Sequence, residues 1–376
     1  MEGLAKVSET GVDLLYSEVE DDLRASVRAL LADKSPAASV LARVETDQVT
    51  DTALWKELAE LGVTGLPIPE ELGGAGVTLR EASVVAEELG RAVSPVPFLG
   101  SAVLATSALL ALGDTAAETL GSLAAGETTA ALAIPLATPP DAAFPSSVRA
   151  VRGALTGTVT GVVDALTADT LLVPAVRAEG PELYLVSTAD VDRSAVVSLD
   201  LTRPLADLEL TAAPARLLAS GADAEQALRS ALIAGATLLS AEQLGVAEWA
   251  LETTVEYLKT RNQFGRPVGA FQALKHRLAD LWVVVSQARA LVRNAAGSVA
   301  LGHEDAELNA SLAQAFVSGA AVKATEEAVQ LHGGIGFTWE HPAHLYLKRA
   351  KSDAIALGTA DRHRRALARL VDLPVQ

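Results

Sequence analysis

Between residue 18 and about residue 125, apolar residues return at intervals of three and four, as in Val19, Leu23, Val27, Leu30 and Leu31, and again in Leu54, Leu58 and Leu61. That spacing puts the apolar side chains on one stripe of a helix and predicts amphipathic helices packed through it. Residues 66–77 and 94–97, dense in Pro and Gly, interrupt the pattern as loops. Residues 97–113 are uncharged but rich in Ala and Ser, short of the ~20 strongly apolar residues of a bilayer span, which predicts a buried helix and no membrane insertion. Near Gly126 the period changes. Residues 129–134, 155–160, 170–173, 183–186 and 208–210 are short apolar runs split by Pro, Gly and Asp, the pattern of a β domain. From Asp223 long helical patterns return, through residues 256–261, 271–300 and 307–331. The fold class expected is α+β, mainly helical: a helical domain over 1–125, a β domain over 126–222 and a second helical domain over 223–376.

Composition narrows the function. The chain of 376 residues is 50% hydrophobic but only 4% aromatic, so its apolar content is mostly Ala, Leu and Val, which suits closely packed helices. Thirty Lys and Arg face 47 Asp and Glu, a formal charge of −17 that repels phosphate backbones and anionic membrane surfaces. Nucleic acid is therefore not an expected partner. The absence of Cys excludes disulfides, thiolate metal sites, iron–sulfur clusters and Cys nucleophiles. Residues 1–22 are acidic and lack a basic region followed by an apolar one, so no secretory signal is expected and the cytoplasm is the default compartment. The six His residues show no metal-ligand spacing, and no metal is expected.

The glycine clusters Gly73-Gly74-Ala-Gly76 and Gly333-Gly334-Ile-Gly336 do not follow strands, and strands and helices do not alternate, so neither cluster is a Rossmann fingerprint. Alone, each reads as a helix terminator. The basic run Lys348, Arg349, Lys351, Arg362, Arg364, Arg365 and Arg369 reads as a solvated helix face.

Two further segments are specific. Tyr257-Leu-Lys-Thr-Arg261-Asn-Gln-Phe264-Gly-Arg-Pro, continuing to Asp280, and Gln330-Leu-His-Gly333-Gly334-Ile-Gly-Phe337, followed by residues 340–359, resemble the two C-terminal signatures of the acyl-CoA dehydrogenase family, in the family's order and spacing. The resemblance spans essentially the whole chain. It implies an N-terminal helical domain, a middle β-barrel-like domain and a C-terminal four-helix bundle. It also implies FAD at a subunit interface: Arg261 reaching the pyrophosphate, Phe264 lying beside the cofactor, Gln330, Gly333 and Gly334 approaching the adenosine end, and Thr359 as a further contact. Arg suits such a role because its planar fork matches two phosphate oxygens, and Gly because a Cβ would hold the backbone away.

The same resemblance exposes departures. The family's reaction removes an α proton from an acyl thioester with a Glu while the β hydrogen leaves as hydride to the flavin. In many members that Glu immediately precedes Gly-Thr; here Leu357 stands there, before Gly358 and Thr359. In others it lies 29 residues before the Phe of the Arg-x-x-Phe-Gly motif, which here is Gly235. Neither residue takes a proton, so no catalytic residue is expected, with Glu242, about two turns further along, as the fallback. The flavin-ring segments of active members correspond to residues 134–141 and 161–167, without their hydroxyl and Trp pattern. This resembles the base-lacking subunit of actinobacterial heterotetrameric acyl-CoA dehydrogenases that act on steroid side-chain thioesters. It implies a paralogous partner bearing the Glu, an acyl-CoA substrate and an electron-transfer flavoprotein as acceptor. Two readings stand beside it: a self-sufficient homo-oligomer with a relocated base, and a flavin-free scaffold.

Overall fold

The structure, a computed structural model, describes residues 11–373; the first ten residues of the acidic N-terminus lie outside the described residues. Helix α1 (Glu18–Lys34) begins on a reciprocal cap in which Ser17 Oγ accepts from Glu20 N and Glu20 Oε2 accepts from Ser17 N. After α2 (Ala37–Arg43) and α3 (Thr52–Glu60), the same device between Thr78 and Glu81 opens α4 (Leu79–Ala92). The uncharged 97–113 stretch forms a wide π-helix, Phe98–Ala105, that runs into α5 (Thr106–Leu110), all of Phe98–Ala105 being buried. A short α6 (Ala117–Ala124) follows. Half of the predicted stripe is buried, Leu23 and Leu30 are half-buried against the core, and Val19 and Leu61 face solvent. Both sit at a helix terminus, where the stripe has run past the neighbour it packs on.

Eight strands form the middle sheet: β1 (Ala130–Leu132), β2 (Val148–Val151), β3 (Ala154–Val163), β4 (Thr170–Arg177), β5 (Gly180–Ser187), β6 (Asp192–Val196), β7 (Leu205–Pro214) and β8 (Arg216–Ser220). Their order is β6-β7-β3-β2-β4-β5-β8, with β1 added in parallel to β4. Period-2 alternation divides the residues of the sheet between two cores. Leu171, Val173, Leu155, Leu208 and Leu210 fill an interior of its own, whereas Leu172, Leu183 and Val163 join the helical core.

Helix α7 (Ala222–Thr260), 39 residues and about 58 Å long, is buried almost all round between residues 231 and 251 and forms the axis of the C-terminal bundle. A two-stranded hairpin, β9 (Asn262–Gln263) and β10 (Arg266–Pro267), leads to α8 (Gln272–Ala300), α9 (Ala306–His332), α10 (Ala343–Asp353) and α11 (Ala360–Leu370). Where α4 crosses α7, a Cβ on Gly90 would stand 2.0 Å from Glu242 O, and one on Gly245 would stand 1.9 Å from Glu87 O. Only glycine permits so close a crossing, and it fixes α7 against the N-terminal helices. As the sequence suggests, Gly73 and Gly333 each follow a helix with positive φ.

Candidate functional site

The loop between α10 and α11 carries Leu357 in a left-handed conformation, φ +53°, with no solvent exposure. A β-carbon-bearing residue held there is strained by about 1–3 kcal/mol, so its surroundings must impose the conformation. They do: Leu357 N donates to Leu136 O (2.7 Å), and His363 Nε2 donates to Leu357 O (3.0 Å). The Leu357 side chain reaches across to α7. A Cβ built on Gly235 would lie 3.0 Å from Leu357 Cδ1 and 2.5 Å from Leu104 Cδ2 of the π-helix. The two sequence positions where a base is expected thus converge on one spot. Leu104 and Leu357, both buried, fill it.

Residues 134–141, expected from the resemblance to be the counterpart of the ring-binding segment, lie over the same loop. The segment's one hydroxyl, Thr138 Oγ1, donates to Pro135 O (2.7 Å), and Pro139 Cβ sits 2.8 Å from where a Cβ on Gly358 would be. Asp141 pairs with Arg362 (2.9 Å) and with Arg369. The segment's hydrogen-bonding groups are therefore turned onto its own chain. Thr359 caps α11, accepting from Arg362 N (3.3 Å).

Glu242 lies two turns beyond Gly235, inside a buried ionic cluster. Arg203 and Arg349 both donate to Glu242 Oε1; Arg203 also donates to Asp353 Oδ1, and Arg349 to Asp200 Oδ2 and Thr202 Oγ1. Burial alone would raise the Glu242 carboxyl, but the two guanidinium groups outweigh it and hold it below the usual glutamate range. A carboxylate so held is a poor proton acceptor. Arg349 is therefore a correction to the sequence reading: it is 2% exposed and belongs to this cluster rather than to a solvated face. The rest of the basic run does lie toward solvent, with Lys351 paired to Glu326 and Arg364 to Asp361.

The far end of the bundle is built differently. The β9–β10 hairpin turns through Phe264 (φ +52°) and Gly265 (φ +76°), a two-residue turn with both central residues left-handed. Phe264 is 89% exposed and touches the chain edge-on through Phe271. Arg261 ends α7 with its side chain exposed and, among the described residues, forms no ion pair or side-chain hydrogen bond. Tyr257, one turn earlier, stacks on His332 at 4.5 Å, which brings the ends of α7 and α9 together. There Gln330 is exposed, Gly333 (φ +63°) ends α9, and a Cβ on Gly334 would meet nothing within 4 Å. Arg261, Phe264, Gln330, Gly333 and Gly334 thus share one open end of the bundle, with Phe337 and Trp339 exposed beyond them.

Comparison with known families and structures agrees with this architecture. A model described as "Acyl-CoA dehydrogenase, C-terminal domain" matches residues 225–371, and one described as "Acyl-CoA dehydrogenase, N-terminal domain" matches residues 17–127. The chain belongs to the acyl-CoA dehydrogenase family. Its members are oxidoreductases acting on CH–CH bonds, and they bind FAD. "Acyl-CoA dehydrogenase IpdE2" of Mycobacterium tuberculosis is 39% identical over 88% of this chain and 91% of its own length. The "ChsE4-ChsE5 complex from Mycobacterium tuberculosis" superposes with a TM-score of 0.86 at 30% identity, over 97% of this chain and 100% of the other. A variant of the "Tcur3481-Tcur3483 steroid ACAD" superposes with a TM-score of 0.83 at 30% identity, over 94% of this chain and 98% of the other.

Within an acyl-CoA dehydrogenase, the two ends of this site fit FAD unequally. The bundle end offers an exposed guanidinium, an exposed amide and bare glycine backbone, a donor set suited to phosphate and ribose oxygens. The ring-side segment offers no free hydroxyl. Leu104, Arg203 and Asp353 were not legible as site residues: Leu104 reads as one more core residue, Arg203 lies outside both signatures, and Asp353, inside the second, is at no position that the resemblance marks for cofactor or base.

Proposed function

We propose that this chain is the base-lacking subunit of an acyl-CoA dehydrogenase complex, in which it completes the FAD site of a paralogous subunit that carries the catalytic Glu. The observation that carries the reading is the convergence of Gly235 and Leu357 on one buried spot filled by Leu104, with no ionisable group there. Bound FAD supplies the hydride acceptor; α-proton removal requires a carboxylate that this spot does not hold. This chain's contribution is at the bundle end, where Arg261 binds pyrophosphate oxygens and Gln330, Gly333 and Gly334 line the adenosine end. The substrate is an acyl-CoA thioester. A steroid side chain as the acyl group is supported by the likeness to a protein titled a steroid ACAD, and an electron-transfer flavoprotein is the expected acceptor. The relocated-base alternative meets a Glu242 already engaged by two Arg residues.

The experiment is reconstitution. The chain alone should show no acyl-CoA dehydrogenase turnover, and co-purification with its base-bearing paralogue should restore it. Turnover by the lone chain would overturn the reading.

A further inference from the structure

The proposed function leaves unused a buried cluster of six charged side chains. Asp164 follows β3, Asp200 and Arg203 lie in the β6–β7 connection, Glu242 is on α7, and Arg349 and Asp353 are on α10. All six are buried, at 6% exposure or less. Two guanidinium groups face four carboxylates, so the cluster carries a net −2 when every group is ionised. The carboxylates are compensated unequally. Glu242 receives both Arg residues, and Asp200 receives Arg349 together with the backbone N–H and hydroxyl of Thr202. Asp164 accepts one backbone N–H, from Gly100 of the π-helix (2.9 Å). Asp353 has Arg203 on one oxygen, while its other oxygen, Oδ2, is buried and, among the described residues, has no partner.

The position of the cluster matters as much as its charge. The π-helix supplies Gly100 here and Leu104 to the filled base spot. Helix α7 supplies Glu242 here and Gly235 there, and the α10 end supplies Asp353 here and Leu357 there. The cluster therefore spans the seam where the sheet meets both helical regions.

We propose that the cluster is a proton-sensitive latch: one exchangeable proton, held on Asp353, sets how firmly the sheet is seated against the helices. An ionised Oδ2 with no donor, in a cluster already short of positive charge, is costly; a neutral carboxyl there costs less. The electrostatics agree in direction. Burial, opposed by Arg203 and reinforced by Glu242, pushes Asp353 up to about 7, and burial pushes Asp164 up to about 6. Above its unfolded value and below its folded one, each such carboxyl binds more proton in the folded chain than in the unfolded one. Its stabilising contribution is therefore fully present on the acid side and is lost as pH rises through 6 to 7. Asp200 and Glu242, both held low, act oppositely, contributing above their unfolded values and losing that contribution on strong acidification. The inference does not depend on the proposed function.

The test compares unfolding of the full chain with that of Asp353→Asn at about pH 5.5 and about pH 8.5. Wild type should lose at least about tenfold in folding equilibrium relative to the variant between the two conditions. Glu87, also raised to about 7 in a separate cluster with Tyr16, Arg24, Glu88 and Glu248, is present in both chains and cancels. An infrared titration supplies a direct readout that survives a folding failure of the variant. A protonated-carboxyl C=O band lost between pH 6 and 8 should be present in wild type, in Asp164→Asn and in Glu87→Gln, so that neither of the other raised carboxyls accounts for it. A constant wild-type-to-variant ratio, or the absence of that band from wild type, would overturn the latch.

Discussion

The buried junction beneath α7 and the open end of the bundle are made from the same helices, yet they treat polar groups in opposite ways. At the junction, Leu104 and Leu357 fill the space over Gly235, and every nearby charge except one oxygen of Asp353 is engaged by the chain itself. At the bundle end, a guanidinium, an amide, bare glycine backbone and three large aromatic side chains stand open to solvent. Apolar and charged side chains left exposed together, on a hairpin held in a strained turn, are not what folding alone selects. Under the proposed function, this chain has closed the part of the site where chemistry would occur and kept the part that reaches outward to another molecule.

That contrast can be broken from either side. The largest effect should come from the junction. Glu242→Gln takes from Arg203 and Arg349 the one carboxylate they share, and breaking such a buried set costs about 3–5 kcal/mol, readable by denaturant unfolding. Complex turnover, once the subunit is assembled, should stay within a fewfold; loss of an essential base would instead cost about 10²–10⁴ in rate. Next, Leu357→Ala should destabilise by about 2–5 kcal/mol through the cavity it leaves, again with little change in turnover. If either variant abolished turnover with FAD and assembly intact, the junction would be catalytic after all.

At the open end the order of effects reverses. Arg261→Ala should leave the thermal midpoint of the chain unchanged, because among the described residues the guanidinium forms no ion pair or side-chain hydrogen bond. Retention of FAD by the complex should weaken by about 10- to 150-fold, the worth of a charge-assisted phosphate contact. Phe264→Asn gives the smallest change: Asn tolerates the left-handed turn better, so the chain should gain up to about 1 kcal/mol while assembly with the partner weakens. Loss of stability in either variant would mean that the bundle end serves the fold.

Helix periodicity at three and four, and the switch to short runs near Gly126, made the layer order legible because burial in this chain is set by simple apolar stripes. Strands β2, β6 and β8 were missed: Arg149 interrupts the first, and the other two lie at the ends of the sheet, where exposure erases alternation. The open end was legible because Arg261, Phe264, Gln330 and Gly334 lie within two contiguous signatures. The closed junction was legible only as a substitution, Leu357 and Gly235 where an acid was expected. That the two positions meet, that Leu104 fills them, and that Arg349 turns inward to Glu242 depend on contacts between residues more than a hundred apart, which no local pattern carries.

The central claim, that this subunit reaches a flavin it does not hold alone, is tested most directly by flavin absorbance per chain. The chain purified by itself should be colourless, and the complex with its base-bearing paralogue should hold one FAD for each pair of unlike chains. A yellow lone chain with one FAD per protomer would contradict the account.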